Sequence, residues 1–270
     1  PEDRAVGVVF QSYALWPHMT VRDNVAFPAE ARGAGRAEAR RLAEGHLGTV
    51  DLTGFAARRP AELSGGQRQR VALARCLAGG ARTILMDEPL ANLDPHLRGR
   101  MEAEIAAFHR AAGVTTIYIT HDQREAMALA DRIAVMWEGR FLQVAPPEEL
   151  HDRPACEQVA RFIGRAAVID GQVAREGDAW RATAGPLHAP LDEAPSCGPG
   201  MSRLVIRPGD VTLGQGVPAR IERAFYRGGV WEGWARPDGA EAALPVETRQ
   251  RLADGEAVAL SLTGAWPLPA

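Results

Sequence analysis

Residues 63–89 read LSGGQRQRVALARCLAGGARTILMDEP, and this stretch decides the fold. It opens as a helix, because Ser64 and Gln67 stand three residues apart in the pattern of a capping box. It ends as a strand, because Thr83–Asp87 is an almost wholly apolar run, as expected of a parallel strand covered on both faces. A helix that leads directly into such a strand predicts an α/β fold.

The start of the helix carries two adjacent glycines, Gly65 and Gly66. Capping explains Ser64 and Gln67 but leaves the glycines unexplained. Glycines at a helix start let backbone N–H groups approach an anion closely, with the positive end of the helix dipole aimed at it. These four residues therefore predict a phosphate contact.

An acidic pair, Asp87 and Glu88, follows the strand. P-loop ATPases hold Mg²⁺ with an acid at the end of an apolar strand, and the next acid is then placed to polarise a water. By itself the pair also fits a buried strand that meets a polar loop. Its interpretation therefore depends on the phosphate contact upstream.

Two further strands are predicted, Val6–Phe10 and Val114–Thr120, with a helix over residues 94–112 before the second. Strand, helix and strand in that order imply a parallel sheet. A lone histidine after a strand is usually a polar loop residue. His121, however, stands at the carboxyl end of Val114–Thr120, where ligands bind in such sheets. Residues 25–80 are predicted to form a helical insertion without strands.

The run LSGGQRQRVALARCLA, followed by ILMDEP and ANLD, closely resembles the ABC ATPase family. In that family the pentapeptide of one subunit contacts the γ-phosphate of ATP held by the other. The resemblance therefore implies a homodimer, with Ser64 to Gln67 acting in trans. It also matches Gln11 to the glutamine loop, Asp94 to the D-loop at the dimer interface, and His121 to the histidine that contacts the γ-phosphate.

The mechanism that this resemblance implies is the attack of water on the γ-phosphate of ATP. Glu88 would orient and deprotonate the water, and His121 would stabilise charge on the phosphate. Asp87 and Gln11 would serve Mg²⁺. Glu88, His121 and Gln11 are thus the predicted catalytic residues, with Asp87 and Gln11 at the metal.

The resemblance narrows to importers of ferric iron, polyamines, sulfate and some sugars, because residues 11–21 and the junction Phe162–Gly164 are similar to theirs. This implies a peripheral protein at the cytoplasmic face of the membrane. Tyr13 to Val21 would contact the permease subunits, and a solute-binding protein would take part indirectly. Ferric iron and polyamines are weakly favoured as solutes, since the chain after the junction is short.

The pattern of the chain changes after Gly164. Before this change, a hairpin is expected at the edge of the sheet, formed by Ile133–Trp137 and Phe141–Ala145. Beyond it Pro and Gly become frequent and short alternating runs predict a small barrel or sandwich. The prediction is a partial P-loop-type ABC ATPase domain over 1–164, with a helical subdomain at about 12–80. A small all-β, OB-like regulatory (TOBE-like) domain follows over 165–270.

Composition excludes several other functions. The net charge is -3, so no basic field indicates nucleic acid. The three cysteines lie far apart and are expected to be free thiols without a metal, and no apolar run approaches the length that crosses a bilayer.

No G-x-x-x-x-G-K-[ST] loop, which supplies a lysine and a backbone cradle for phosphates, occurs in the 270 residues. In the family this loop lies upstream of the glutamine loop, and the chain begins at Pro1. The expectation is a chain that lacks the front of its ATPase domain and that is inactive alone.

Two alternatives stay open. One is a soluble ABC ATPase of DNA repair or translation, which would lack the junction and the β domain. The other is a solute-sensing regulator with a vestigial ATPase half, which the presence of both Glu88 and His121 disfavours.

Overall fold

The computed structural model describes residues 5–91 and 95–269, so the predicted D-loop residue Asp94 lies outside the described residues. The chain divides into two compact units, residues 1–130 and 131–270. The predicted domain boundary at residue 164 stays a proposal.

A three-stranded parallel sheet forms the framework of the first unit. Its strands are β1 (Val6–Val9), β2 (Thr83–Asp87) and β3 (Thr115–Ile119), in the spatial order β1-β2-β3. These are the three predicted strands, each within one residue of its predicted ends. In the register Val9 lies opposite Met86, and Asp87 lies opposite Ile119. Because all three strands run in one direction, their carboxyl ends meet at one edge of the sheet.

Five helices accompany this sheet: α1 (Val21–Ala31), α2 (Arg36–Thr49), α3 (Gly65–Ala78), α4 (Pro95–Ala112) and α5 (Gln123–Leu129). The described residues between β1 and β2 contain α1 to α3 and no strand, which confirms the predicted helical insertion. Small alanines on these helices let them pack closely around buried Val25, Leu47 and Leu73. The thiol of Cys76 is buried against Gly7 of β1, and burial raises its pKa to about 11.

The second unit begins with the hairpin β4 (Ile133–Trp137) and β5 (Arg140–Ala145). Its turn residues Glu138 and Gly139 both have positive φ, 47° and 76°, as the tight two-residue turn requires. The hairpin was predicted at the edge of the parallel sheet, and that prediction is wrong for the described residues, where it forms a separate two-stranded sheet. A hairpin pairs locally through its turn, so its apolar strands alone do not specify a third partner.

Two short helices, α6 (Pro147–Asp152) and α7 (Glu157–Phe162), lead to nine antiparallel strands. A five-stranded sheet has the order β14-β9-β6-β7-β8, and a four-stranded sheet has the order β12-β11-β10-β13. The bounds are β6 Ala167–Glu176, β7 Ala179–Ala184, β8 Leu187–Leu191, β9 Gly200–Ile206, β10 Val211–Tyr226, β11 Trp231–Pro237, β12 Leu244–Thr248, β13 Ala257–Leu262 and β14 Trp266–Pro267.

The two sheets share one core that contains Leu204, Ile206, Ile221, Leu244 and Leu260. This confirms the predicted all-β domain. The sequence did not reveal β7, β8, β12 or the two-residue β14. Half of β7 is alanine, and β8, β12 and β14 each carry a proline, and both residue types have a low strand propensity.

Candidate functional site

The carboxyl edge of the parallel sheet carries the predicted acidic pair. Asp87 is the exposed last residue of β2, and Glu88 follows with a φ of 44°. The backbone N–H of Glu88 donates to the carbonyl of Ile119 across 2.9 Å. The chain therefore leaves β2 in a left-handed turn that is fixed to the end of β3, a conformation that is rare for a residue other than glycine.

The structure brings His121 to this pair. Its Nδ1 lies 3.1 Å from Oε1 of Glu88, and the two side chains are 76% and 39% exposed. Both groups are thus accessible at the edge and close enough to act on one small reactant. A carboxylate and an imidazole in this arrangement can move a proton and stabilise developing negative charge.

A buried carboxylate that sequence reasoning missed holds the segment with His121. The hydroxyls of Tyr118 and Thr120 each donate to Oε2 of Glu125 across 2.8 Å, and Glu125 is only 3% exposed. Burial and the hydrogen bond to Glu125 raise the pKa of the Tyr118 hydroxyl. Arg98 of α4 lies 3.7 Å from Oε1 of Glu125, which gives the buried carboxylate a countercharge.

Asp122 anchors the other side of His121. Its N–H donates to the Thr120 hydroxyl across 2.9 Å, and its carboxylate accepts the N–H of Arg124 and caps α5. Asp122 and Glu125 stand three residues apart, a spacing that normally signals a helix start. That spacing was the available signal for Glu125.

Gln11 lies at the same edge, two residues beyond the end of β1. It is exposed, in a turn closed by a 2.8 Å hydrogen bond from the Tyr13 N–H to the Phe10 carbonyl. Tyr13 and Ala14 have positive φ values of 61° and 43°. The structure thus places Gln11, Asp87, Glu88 and His121 at one edge, with a measured contact between the last two.

The segment after Gln11 is anchored by a residue that sequence reasoning also missed. Asn24 is fully buried, accepts the N–H of Trp16 across 2.9 Å and donates to the Trp16 carbonyl across 3.1 Å. The Trp16 ring is half-buried and lies 4.4 Å from the ring of Phe27, an exposed residue of α1. Pro17 and His18 remain exposed at the tip of the segment.

The predicted capping box at Ser64 and Gln67 is confirmed. The Gln67 N–H donates to the Ser64 hydroxyl across 3.3 Å, and the Ser64 N–H donates to the Gln67 side-chain oxygen across 2.9 Å. Gly66 is buried against α4, where an added Cβ would lie 2.5 Å from Sδ of Met101. Close packing against Met101 therefore explains why residue 66 is a glycine, and the sequence did not show this contact.

Gly66→Ala is expected to lower the free energy of unfolding by about 1 to 3 kcal/mol, because the methyl group overlaps Met101. Gly66→Ala with Met101→Ala should recover part of that loss, since the obstructing side chain is gone. Thermal and denaturant unfolding of both variants measure this. The control is Gly45→Ala in α2, which has open space and should be neutral or stabilising. A double variant as unstable as the single one would contradict the packing explanation.

The edge offers suitable donors for Mg²⁺. The described residues contain no group of three or more His, Cys, Asp or Glu able to hold a metal. Magnesium in nucleotide sites, however, takes one or two protein oxygens together with phosphate oxygens and waters. The exposed carboxylate of Asp87 and amide oxygen of Gln11 fit that requirement.

In the part of the chain that the structure describes, no helix is long and apolar enough to span a bilayer.

Comparison with known proteins identifies the family. The model of the ABC transporter family matches residues 1–91. The chain is 44% identical to the Fe(3+) ions import ATP-binding protein FbpC of Agrobacterium fabrum, over 84% of this chain and 65% of that protein. It is 40% identical to the spermidine/putrescine import ATP-binding protein PotA 1 of Pseudomonas aeruginosa, over 97% and 75%.

A third relative is the trehalose/maltose import ATP-binding protein MalK of Thermococcus litoralis, 51% identical over 66% of this chain and 48% of that protein. The chain spans about two thirds of the length of the FbpC relative, 65%. Among solved structures, cbiO1 of Clostridium perfringens, part of the ABC transporter complex cbiONQ, matches with a TM-score of 0.50 and 28% identity. That match covers 58% of this chain and 62% of cbiO1.

Proposed function

The chain belongs to the family of ABC transporter ATP-binding proteins, and on that premise we propose that it is the ATP-hydrolysing subunit of an importer for a small solute. The observation that carries the proposal is the contact of His121 with Glu88 at the carboxyl edge of the sheet. The names of the relatives, all of them import ATP-binding proteins, support the same function.

In the proposed reaction a water attacks the γ-phosphorus of ATP, the bond from that phosphorus to the β–γ bridging oxygen breaks, and ADP and inorganic phosphate leave. Glu88 orients this water and accepts its proton, and His121 stabilises the charge that develops on the phosphate oxygens. Asp87 and Gln11 would hold Mg²⁺, which would neutralise phosphate charge when bound. Glu88 can accept the proton because its carboxylate is exposed at the edge. Among the described residues, His121 is its only ion-pair partner.

The site is completed by a second copy of the chain. Ser64 caps α3, the first turn of which begins with Gly65, Gly66 and Gln67, and Gly66 packs against α4. The capping box uses the N–H groups of Ser64 and Gln67. We propose that the N–H groups of Gly65 and Gly66, with the side chains of Ser64 and Gln67 beside them, meet ATP held by the partner copy. Asp94 would lie at that dimer interface. The 270 residues carry no G-x-x-x-x-G-K-[ST] loop, and we propose that by themselves they hydrolyse ATP negligibly.

The remaining partners are membrane proteins. We propose that permease subunits bind the segment Tyr13 to Val21 and hold the chain at the cytoplasmic face of the membrane, and that a solute-binding protein acts through them. Exposed Pro17 and His18 at the tip support this, while half-buried Trp16 serves to shape the tip. Ferric iron and polyamines are the favoured solutes, because the FbpC and PotA relatives match at least 84% of the chain.

Cross-linking tests the proposed function. In membranes that contain the permease subunits, Pro17→Cys and His18→Cys are expected to form cross-links to permease helices that also carry cysteines. The reason is that the tip is exposed and adjoins Gln11. Immunoblots of the cross-linked species provide the measurement.

The matched control is Thr49→Cys, equally exposed at the end of α2 and expected to give no product. Cys156 and Cys197 are replaced by serine, and Cys76 can stay because it is buried and its pKa is raised to about 11. Equal amounts of cross-linked product from Thr49→Cys and from the tip variants would contradict the docking proposal.

A further inference from the structure

A buried arginine connects helix α3 to the turn that carries Gln11. Arg75 is 9% exposed and lies in the last turn of α3. Its Nη1 donates to the Ala14 carbonyl across 2.6 Å, and its Nη2 donates to the Tyr13 carbonyl across 3.1 Å. Its guanidinium also lies over the Trp16 ring, 4.9 Å from the ring centre. Three contacts within residues 13–16 thus fix one guanidinium to one short segment.

The two carbonyls belong to an unusual piece of backbone. Tyr13 and Ala14 are both left-handed, which L-residues adopt rarely and keep only when their surroundings hold them. The planar, forked donors of arginine suit two neighbouring carbonyls, whereas a lysine ammonium cannot bind both in the same way. In the part of the chain that the structure describes, no carboxylate pairs with Arg75. Its donors therefore serve this turn.

We propose that Arg75 is a positioning residue that makes the Gln11 turn and helix α3 move as one body. Gln11 lies two residues before Tyr13, and Ser64 lies eleven residues before Arg75, about 16 Å along the helix. A displacement of the segment Tyr13 to Val21 is thereby carried to the helix whose start faces the partner's ATP. The inference rests on the proposed function, since it assigns the link between docking and the nucleotide.

A purely structural role would also bury an arginine, so the test must separate the two. Arg75→Lys keeps the charge and much of the packing, while Arg75→Met removes the charge and keeps a long apolar stem. Arg58→Met is the matched control. Arg58 lies 4.6 Å over the Phe55 ring in the same helical insertion, but its contact does not involve the Gln11 segment.

Hydrogen exchange of the 270-residue chain is the first measurement. Arg75→Lys is expected to raise amide exchange at least tenfold in peptides covering residues 10–16, with little change over the rest of α3. Arg58→Met should leave residues 10–16 at the wild-type rate. Unchanged exchange in Arg75→Lys, or an equal rise throughout α3, would overturn the proposed link. Should Arg75→Met not fold, Arg75→Lys still decides.

The second measurement is ATP turnover in an assembly with permease subunits and a phosphate-binding loop. Arg75→Lys is expected to lower the permease-stimulated kcat about tenfold, with the KM for ATP within about twofold and the melting temperature near that of the wild type. Stimulation equal to the wild type would refute the coupling role. A wild-type assembly without ATP turnover would count against the proposed function instead, and the exchange result would then decide for or against the link.

Discussion

Glu88→Gln is expected to lower the kcat of ATP hydrolysis by about two to four orders of magnitude, the range that a positioned general base contributes. The amide keeps the shape of the side chain and can still accept a hydrogen bond from His121, 3.1 Å away in the wild type, but it cannot take the proton of the attacking water. ATP binding should survive, because the lost interaction develops only in the transition state.

The measurement uses an assembly that carries a phosphate-binding loop. The rate of ATP hydrolysis by the 270-residue chain alone is the background. Single-turnover kinetics and nucleotide binding at equilibrium separate chemistry from affinity. Glu30→Gln, an exposed residue of α1, is the matched control and should behave as the wild type. Rates for Glu88→Gln within a fewfold of the parent would remove Glu88 from its proposed role.

Gly171→Val is expected to destabilise the β domain by at least about 3 kcal/mol, the upper part of the range for overpacking a core. A Cβ at residue 171 would lie 2.3 Å from Cδ1 of Leu204 and 2.8 Å from the Thr183 carbonyl oxygen. Leu204 is 1% exposed within the core of the β domain, and the carbonyl belongs to the backbone of strand β7. Neither neighbour can move without disturbing the five-stranded sheet.

Tryptophan fluorescence follows this unfolding well. Five of the six tryptophans lie in residues 131–270, and only Trp16 lies in the other unit. Gly209→Ala is the control, because Gly209 has open space around its Cβ direction and an ordinary φ, and its effect should stay within about 0.5 kcal/mol. If Gly171→Val unfolds at the same midpoint as the wild type, the sheet accommodates the added side chain more easily than its contacts indicate.

The parallel strands and the start of α3 were predictable because their signals are local. An apolar run that ends on an acid indicates β2, and a serine three residues before a glutamine indicates the capping box. Asp87, Glu88 and His121 could be placed at one edge because parallel strands share their carboxyl ends. The contact of His121 with Glu88 also depends on the left-handed turn at Glu88, which that topology does not indicate.

The supporting residues were not predictable in the same way. Arg75 contacts backbone carbonyls 61 and 62 positions away, and no pattern of residue types records such a contact. Glu125 fits a helix start as well as it fits a buried carboxylate under Thr120. The sequence around Gly66 does not indicate its contact with Met101. Half of β7 is alanine, and β8 and β12 each carry a proline, so their composition does not mark them as strands.

The left-handed backbone of Glu88 sets stability against activity at this position. A glycine would adopt the same φ without steric cost, so Glu88→Gly should relieve backbone strain while removing the proposed base. Selection for a stable fold alone would therefore replace this glutamate, and a design program that optimises stability would make the same choice. On this argument, the loss of the glutamate from a homologous chain would indicate a subunit that has given up catalysis.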